Sequence, residues 1–202
     1  MTRFVLIRHA AIDLSGHALA GRMAGVHLNA EGRRQAQALA ERFAASSVAA
    51  VYSSPLERAV ETAEPIAKLL GLEVVTREDF LEIEFGEWTS RAFADLAADP
   101  LFQRFNSLRS CAAVPGGERM LQAQARMIGG LEAVRARHPH EAVAVVSHGD
   151  LIKAAIAYYA GIPLDLFQRI EISLASASIV EIDDAAIRIL AVNDTGGATR
   201  PG

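Results

Sequence analysis

The sequence predicts an α/β fold, a three-layer sandwich with a mostly parallel central sheet flanked by helices. Three observations carry this. Phe4-Val5-Leu6-Ile7 and Ala142-Val143-Ala144-Val145-Val146 are short, continuous runs rich in branched residues, as strands covered on both faces should be. Segments with helical periodicity fall between the apolar runs. Strand and helix therefore alternate along the chain, the pattern of a layered α/β domain.

Taken in order, the first strand is Phe4 to Ile7. Glu31 to Ala45 follows as a helix, with Ala36, Leu39, Ala40 and Phe43 on one stripe. A strand is expected over Val48 to Tyr52, and a weaker one at Val74-Val75. Between them Ala59 to Leu70 reads as a helix that Pro65 should kink or interrupt. Gly86 to Gly117 is the least regular part and is expected to make helical excursions and loops over one end of the sheet. Arg119 to Arg137 carries Met120, Ala123, Met127, Leu131 and Val134 at helical spacing. After the strand at Ala142, Asp150 opens a helix to Tyr159, its carboxylate suited to a helix N-terminus. Alternating residues such as Ser178 to Ile182 predict one or two closing strands within Ile170 to Val192, antiparallel to the rest. Thr195 to Gly202 reads as a frayed tail. No repeat, low-complexity block or interdomain linker is evident, so residues 1–202 are expected to form one domain, with 86–117 as a cap-like insertion.

Composition narrows the classes. Of 202 residues, 51% are hydrophobic and 22% charged, which is globular rather than disordered. A formal net charge of -4 leaves no global basic field, so no nucleic-acid partner is expected and any anion site must be built locally. Cys111 is the single cysteine, which rules out an internal disulfide or a multi-cysteine zinc site and fits a reducing cytoplasm. The Phe4–Ile7 run is cut off by Arg8 and His9, far short of a secretory signal. Ala142 to Leu164 carries His148, Asp150 and Lys153, which argues against a membrane span. A cytoplasmic protein is expected, and association as a homodimer is compatible with the sequence.

In open α/β sheets ligands bind beyond the carboxyl ends of the strands. Arg8-His9 directly follows the first strand, Ser53-Ser54-Pro55 and then Arg58 follow the Val48–Tyr52 strand, and Ser147-His148-Gly149 follows the Ala142–Val146 strand. Each alone is weak: a single histidine after a strand is more often structural, and a single arginine is usually a solvated charge. Together, four cation-forming side chains at three strand ends would repel one another unless an anion joined them. Phosphate is the natural choice, because arginine offers planar paired donors matched to its oxygens.

The pieces carrying these residues resemble the histidine phosphatase superfamily, in its phosphoglycerate-mutase-like branch. The matching runs are Leu6 to Ala10, Leu28 to Gly32, Ser53 to Ala59, Glu61 to Ala63, Glu82 to Trp88, Pro115 to Glu118 and Val146 to Asp150, in the family's order and spanning about residues 4 to 182. Leu166 to Ile170 further resembles bacterial phosphatase-type members. The resemblance implies a metal-independent phosphomonoester hydrolase with no cofactor, acting on a small phosphorylated metabolite. His9 would be the nucleophile and form a phosphohistidine, with Arg8, Arg58 and His148 neutralising the phosphoryl oxygens. Those neighbours should also favour neutral His9, since like charges disfavour a second cation. Glu82 would be the acid that protonates the leaving oxygen and then activates water. Its rival is Glu84, which would face the other way on a strand; only the motif match selects Glu82.

Other positions are less defined. Arg22 is a candidate substrate contact, with a solvated loop arginine as the alternative. Trp88 is a candidate pocket wall, with core packing the more usual fate of a lone tryptophan. His17 and His27 read as bystanders. His138-Pro139-His140 reads as a solvated turn rather than a metal site, since no third ligand accompanies it. Departures from the family pattern bear on substrate rather than on reaction: Ala10-Ala11-Ile12 stands where Gly-Glu-Thr is frequent, and Ser15 is the available donor where an asparagine commonly helps hold phosphate. Thr89-Ser90 replaces a frequent Glu-Gly. The competing readings are a phosphomutase using the same phosphohistidine, a non-catalytic module that binds phosphorylated ligands, and a nucleotide-binding oxidoreductase. The last lacks any Gly-x-Gly-x-x-Gly after the first strand.

Overall fold

The computed structural model describes residues 1–196; the end of the expected frayed tail, 197–202, lies outside the described residues. The chain folds as β1 (Thr2–Arg8), α1 (Ala30–Glu41), β2 (Val48–Ser53), α2 (Glu57–Leu70), β3 (Val74–Thr76), α3 (Phe93–Ala97), α4 (Pro100–Ser107), α5 (Met120–Arg137), β4 (Ala142–Ser147), α6 (Gly149–Ala160), β5 (Ala177–Ile182) and β6 (Ile187–Asp194). The six strands form one sheet in the order β3-β2-β4-β1-β5-β6. The first four are parallel, and β5 and β6 close the sheet antiparallel.

Side chains of successive strand residues point to opposite faces, and this sorts the core into two layers. Phe4, Leu6, Val143 and Val145 pack under α5 and α6, through Met127, Leu131, Ile152 and Ile156. Val5, Ile7, Ala144 and Val146 pack under α1 and α2, through Leu39, Ala63 and Ile66. The β1 and β4 runs are continuously apolar because both faces of the sheet are covered.

Two helices differ from expectation. The α1 helix ends at Glu41, and its stripe residue Phe43 packs in the following turns, still buried. The α2 helix runs unbroken through Pro65, whose ring does not end it. Proline at this position removes one hydrogen bond, to the carbonyl of Glu61. Glu61 and Pro65 both line a surface groove. The helix is also held by four buried residues, Ala59, Ala63, Ile66 and Ala67. Among the described residues, no helix is long and apolar enough to cross a membrane.

The strand order gathers the polar strand ends at one edge of the sheet. Because β4 lies between β2 and β1, the ends of these three strands are side by side: Arg8 is in register with Ser147, and Ser53 with Val146. Gly32, at the start of α1, packs against this edge. A Cβ there would meet the Ala11 carbonyl oxygen at 2.0 Å, so only glycine lets the helix press against the loop that follows His9.

Candidate active site

His9 is the first residue past β1, and its backbone N–H donates to Ser147 O at 2.9 Å, tying it to the end of β4. The next amide, Ala10 N–H, donates to Thr62 Oγ1 at 3.0 Å, and Thr62 in turn donates to the carbonyl of Arg58 at 2.7 Å. The loop bearing His9 and the helix bearing Arg58 are thus held together by one hydroxyl.

The His9 ring is buried, and its Nδ1 lies 2.8 Å from the carbonyl oxygen of Ala10. A carbonyl can only accept, so Nδ1 carries the hydrogen and the lone pair is left on Nε2. Burial, and then the charge of Arg58, hold the His9 pKa down to about 3, against the Ala10 hydrogen bond. The ring is therefore an unprotonated base at neutral pH. His148 meets it edge to face, with ring centroids 5.3 Å apart.

His148 is fully buried at the N-cap of α6. Its Nδ1 accepts from Arg58 Nη2 at 3.4 Å, and its Nε2 donates to Ser54 Oγ at 2.8 Å. Burial first, then Arg58 and His9, push its pKa well below the usual histidine value. Arg58, only 1% exposed, spends Nη2 also on Gly21 O at 2.6 Å, while its Nε and Nη1 have no partner in the protein. Arg8 donates Nη1 to Ile172 O at 2.6 Å, and its buried Nε likewise has no partner. Orphan buried donors are costly, and these belong to cations converging on one place.

Glu82 brings the carboxylate. Its Oε2 is 4.0 Å from His148 Nδ1, and its side chain is 13% exposed. Burial, and then the nearby charge of Asp150, push its pKa up to about 7, against the Ile83 hydrogen bond and the charges of Arg58 and Arg8. A carboxyl that holds a proton near neutrality thus shares a pocket with an imidazole that does not. Glu84 is turned away: it contacts Gly86 N and lies 3.9 Å from Arg22. Neither glutamate is on a strand. Arg8, His9, Ser15, Arg58 and Glu82 line one pocket of about 110 Å³, small enough to suit a phosphate-sized group. Ser15 lies among the lining residues, its Oγ accepting from Ile12 N at 3.1 Å.

The structure places Arg22 differently from the expectation of a substrate contact. Its Nε donates to Glu82 O at 2.7 Å and its Nη2 to Glu118 Oε2 at 2.9 Å, so its charge is answered inside the protein. Arg126 shares the same carboxylate at 2.9 Å and donates to the carbonyls of Asp79 and Leu81. Two guanidiniums on one carboxylate thus clamp the backbone that carries Glu82. Trp88 is core rather than pocket wall: it is 1% exposed and packs against Phe102 and Phe105. His27 pairs with Glu61, His138 with Glu141 and Tyr52, and His140 with the N-terminus, all away from the pocket. Among the described residues no cluster of three or more His, Cys, Asp or Glu could hold a metal ion. Cys111 is free and exposed.

Ser54, Thr62 and Glu118 fall within the sequence motifs, but nothing in those motifs marks them as part of the site. Arg126 lies outside every motif, since one arginine on a long helix carries no signal until its carbonyl partners are known.

Comparisons with known proteins identify the family and the fold. The family described as the histidine phosphatase superfamily (branch 1) matches residues 4–195. A bifunctional protein of Mycobacterium tuberculosis is 34% identical over 198 residues, which cover 96% of this chain but 54% of that protein. The chain thus spans about half the length of this relative and of the two other mycobacterial proteins matched at the same identity. Phosphoserine phosphatase 1 of Hydrogenobacter thermophilus is 30% identical over 200 residues, covering 96% of this chain and 93% of that one. The solved structure of Bacillus stearothermophilus YhfR superimposes with a TM-score of 0.87 at 28% identity, covering 96% of this chain and 98% of that one.

Proposed function

The chain belongs to the histidine phosphatase superfamily (branch 1), and from that premise we propose that it hydrolyses small phosphorylated metabolites through a phosphohistidine on His9, with no metal. The observation that carries this is the His9 tautomer: Nδ1–H is committed to Ala10 O, so the free lone pair is on Nε2, in a ring held neutral by burial and by Arg58. Hydrolase activity on a small phosphomonoester is also what a relative such as the phosphoserine phosphatase is named for.

In the first step Nε2 of His9 attacks phosphorus. The bond from phosphorus to the alkyl oxygen breaks as Glu82 gives that oxygen its proton. Glu82 is suited to this because its carboxyl still holds a proton near pH 7. Arg8 offers its unpartnered Nε hydrogen, and Arg58 its unpartnered Nε and Nη1 hydrogens, to the phosphoryl oxygens. The arriving dianion offsets the Arg58 charge that, after burial, holds the His148 pKa down, and so favours a protonated His148 that donates through Nδ1. In the second step water attacks the phosphohistidine, passes a proton to the Glu82 carboxylate, and the N–P bond breaks to free phosphate. Ser15 is a contact for the same group, and the 86–117 segment acts as the cap that selects the substrate. We place the reaction in the cytoplasm, which suits a chain whose one cysteine can form no internal disulfide.

The test is release of inorganic phosphate from a panel of phosphomonoesters by the wild type and by His9→Ala. The variant should lose at least about a thousandfold in rate. Undiminished activity in it refutes the nucleophile. Isomerisation that requires a bisphosphorylated primer and frees no phosphate would instead establish a phosphomutase.

A further inference from the structure

A second pocket of about 260 Å³ adjoins the phosphate pocket and shares Arg8, Leu19, Glu82, Phe85 and Phe93 with it. Its volume falls below the roughly 300–1,000 Å³ of sites for drug-sized ligands, so it suits the body of a small metabolite. The residues found only in this pocket include Phe102 and Asn106 of α4, Arg109, Lys153 of α6 and Gln168.

The charges here are unequal in their commitments. Arg109 is 4% exposed, paired with Asp150 at 2.8 Å, and stacked on Phe105 and Phe167. Its charge is answered, although its buried Nε has no partner. Lys153 forms no ion pair among the described residues; its Nζ has one contact, Gln168 Oε1 at 3.3 Å. Gln168 donates onward to Asn106 Oδ1 at 3.4 Å, so the lysine's hydrogen-bond contact is to an amide, while Asp150 in the same pocket is taken by Arg109. One unneutralised ammonium beside neutral donors matches one negative charge. A second phosphate dianion would ask for more cation than this pocket leaves uncommitted.

We propose that Lys153 reads a carboxylate on the substrate, so that the preferred substrates are phosphate monoesters of small hydroxy acids, with the carboxylate a few bonds from the ester. This rests on the phosphatase reading and specifies its substrate. The phosphate lies against Arg8, His9 and Arg58, the carbon body passes the Phe85, Phe93 and Phe102 rings, and the carboxylate meets Lys153.

The experiment compares kcat/KM within pairs that differ by the carboxylate: O-phosphoserine against O-phosphoethanolamine, and 3-phosphoglycerate against glycerol 3-phosphate. The wild type should prefer the carboxylated member by about tenfold or more. Lys153→Met should bring that ratio close to one, and Lys153→Arg, which keeps the charge, should retain most of it. A wild-type ratio near one, or a ratio that Lys153→Met leaves unchanged, overturns the proposal while leaving the phosphatase reading intact. A wild type that hydrolyses neither these esters nor p-nitrophenyl phosphate overturns the phosphatase reading, and the substrate assignment falls with it.

Discussion

Nδ1 of His9 lies 2.8 Å from the carbonyl oxygen of Ala10, the residue next to it in the chain. The backbone itself thus fixes the ring's tautomer, and no separate carboxylate is needed to orient it. This separates the two protonation tasks of the site: His9 is deprotonated down to about pH 3, and Glu82 stays protonated up to about pH 7. Between those values both groups are in the form that the proposed first step needs.

The pH dependence of the reaction is set by that window. Deprotonation of Glu82 removes the proton that the leaving alkoxide needs, so kcat/KM for an alkyl phosphate should fall above about pH 7, by about tenfold per unit at its steepest. His9 should set no limb between about pH 4 and 7, because its pKa lies below that range. In Glu82→Gln the alkaline limb should vanish, and hydrolysis of alkyl phosphates should suffer far more than that of p-nitrophenyl phosphate, whose leaving group needs little protonation. An alkaline limb that persists unchanged in Glu82→Gln would show that another group, or the substrate, titrates there.

Oxyanions should stabilise the fold. Arg8 Nε and Arg58 Nε and Nη1 are buried donors without partners in the protein, and an anion would satisfy them. At about a hundred times its Kd a bound anion adds about 2.7 kcal/mol, which in a domain of this size raises Tm by about 5–10 °C. Differential scanning fluorimetry with phosphate or vanadate should show this rise in the wild type and its loss in Arg58→Ala. An equal rise in both would place the anion elsewhere.

The clamp on Glu82 makes a third prediction. Glu118 is shared by Arg22 and Arg126, and both also hold carbonyls of the 78–82 backbone. Glu118→Gln should cost about 1–3 kcal/mol of stability, because two guanidiniums lose a common partner. It should also lower kcat for alkyl phosphates at least about tenfold while sparing p-nitrophenyl phosphate, since the displaced group is the acid. Equal losses on both esters would make Glu118 a general structural support instead of a positioning residue for Glu82.

The elements are legible in the sequence to the extent that local patterns determine them. Branched apolar runs mark β1 and β4, and helical stripes mark α1 and α5, because burial leaves a composition signature. Pro65 defeats the local rule because one lost hydrogen bond is outweighed by four buried side chains of α2, which no local rule weighs. Trp88 and Arg22 illustrate the same limit: whether each meets a pocket or a core depends on partners far away in the chain.

The sequence alone determined the chemical inventory: two histidines, two arginines and a glutamate, three of them at strand ends and Arg58 at the start of the helix after β2, by motifs that can be read residue by residue. Tertiary structure decided how they act. The order β2-β4-β1 sets three strand ends side by side, burial lowers the His9 pKa and raises that of Glu82, and Glu118 ties two distant arginines to the backbone beneath that acid. Proton affinities and orientations depend on what surrounds a group in space, and that is set only when the chain closes on itself.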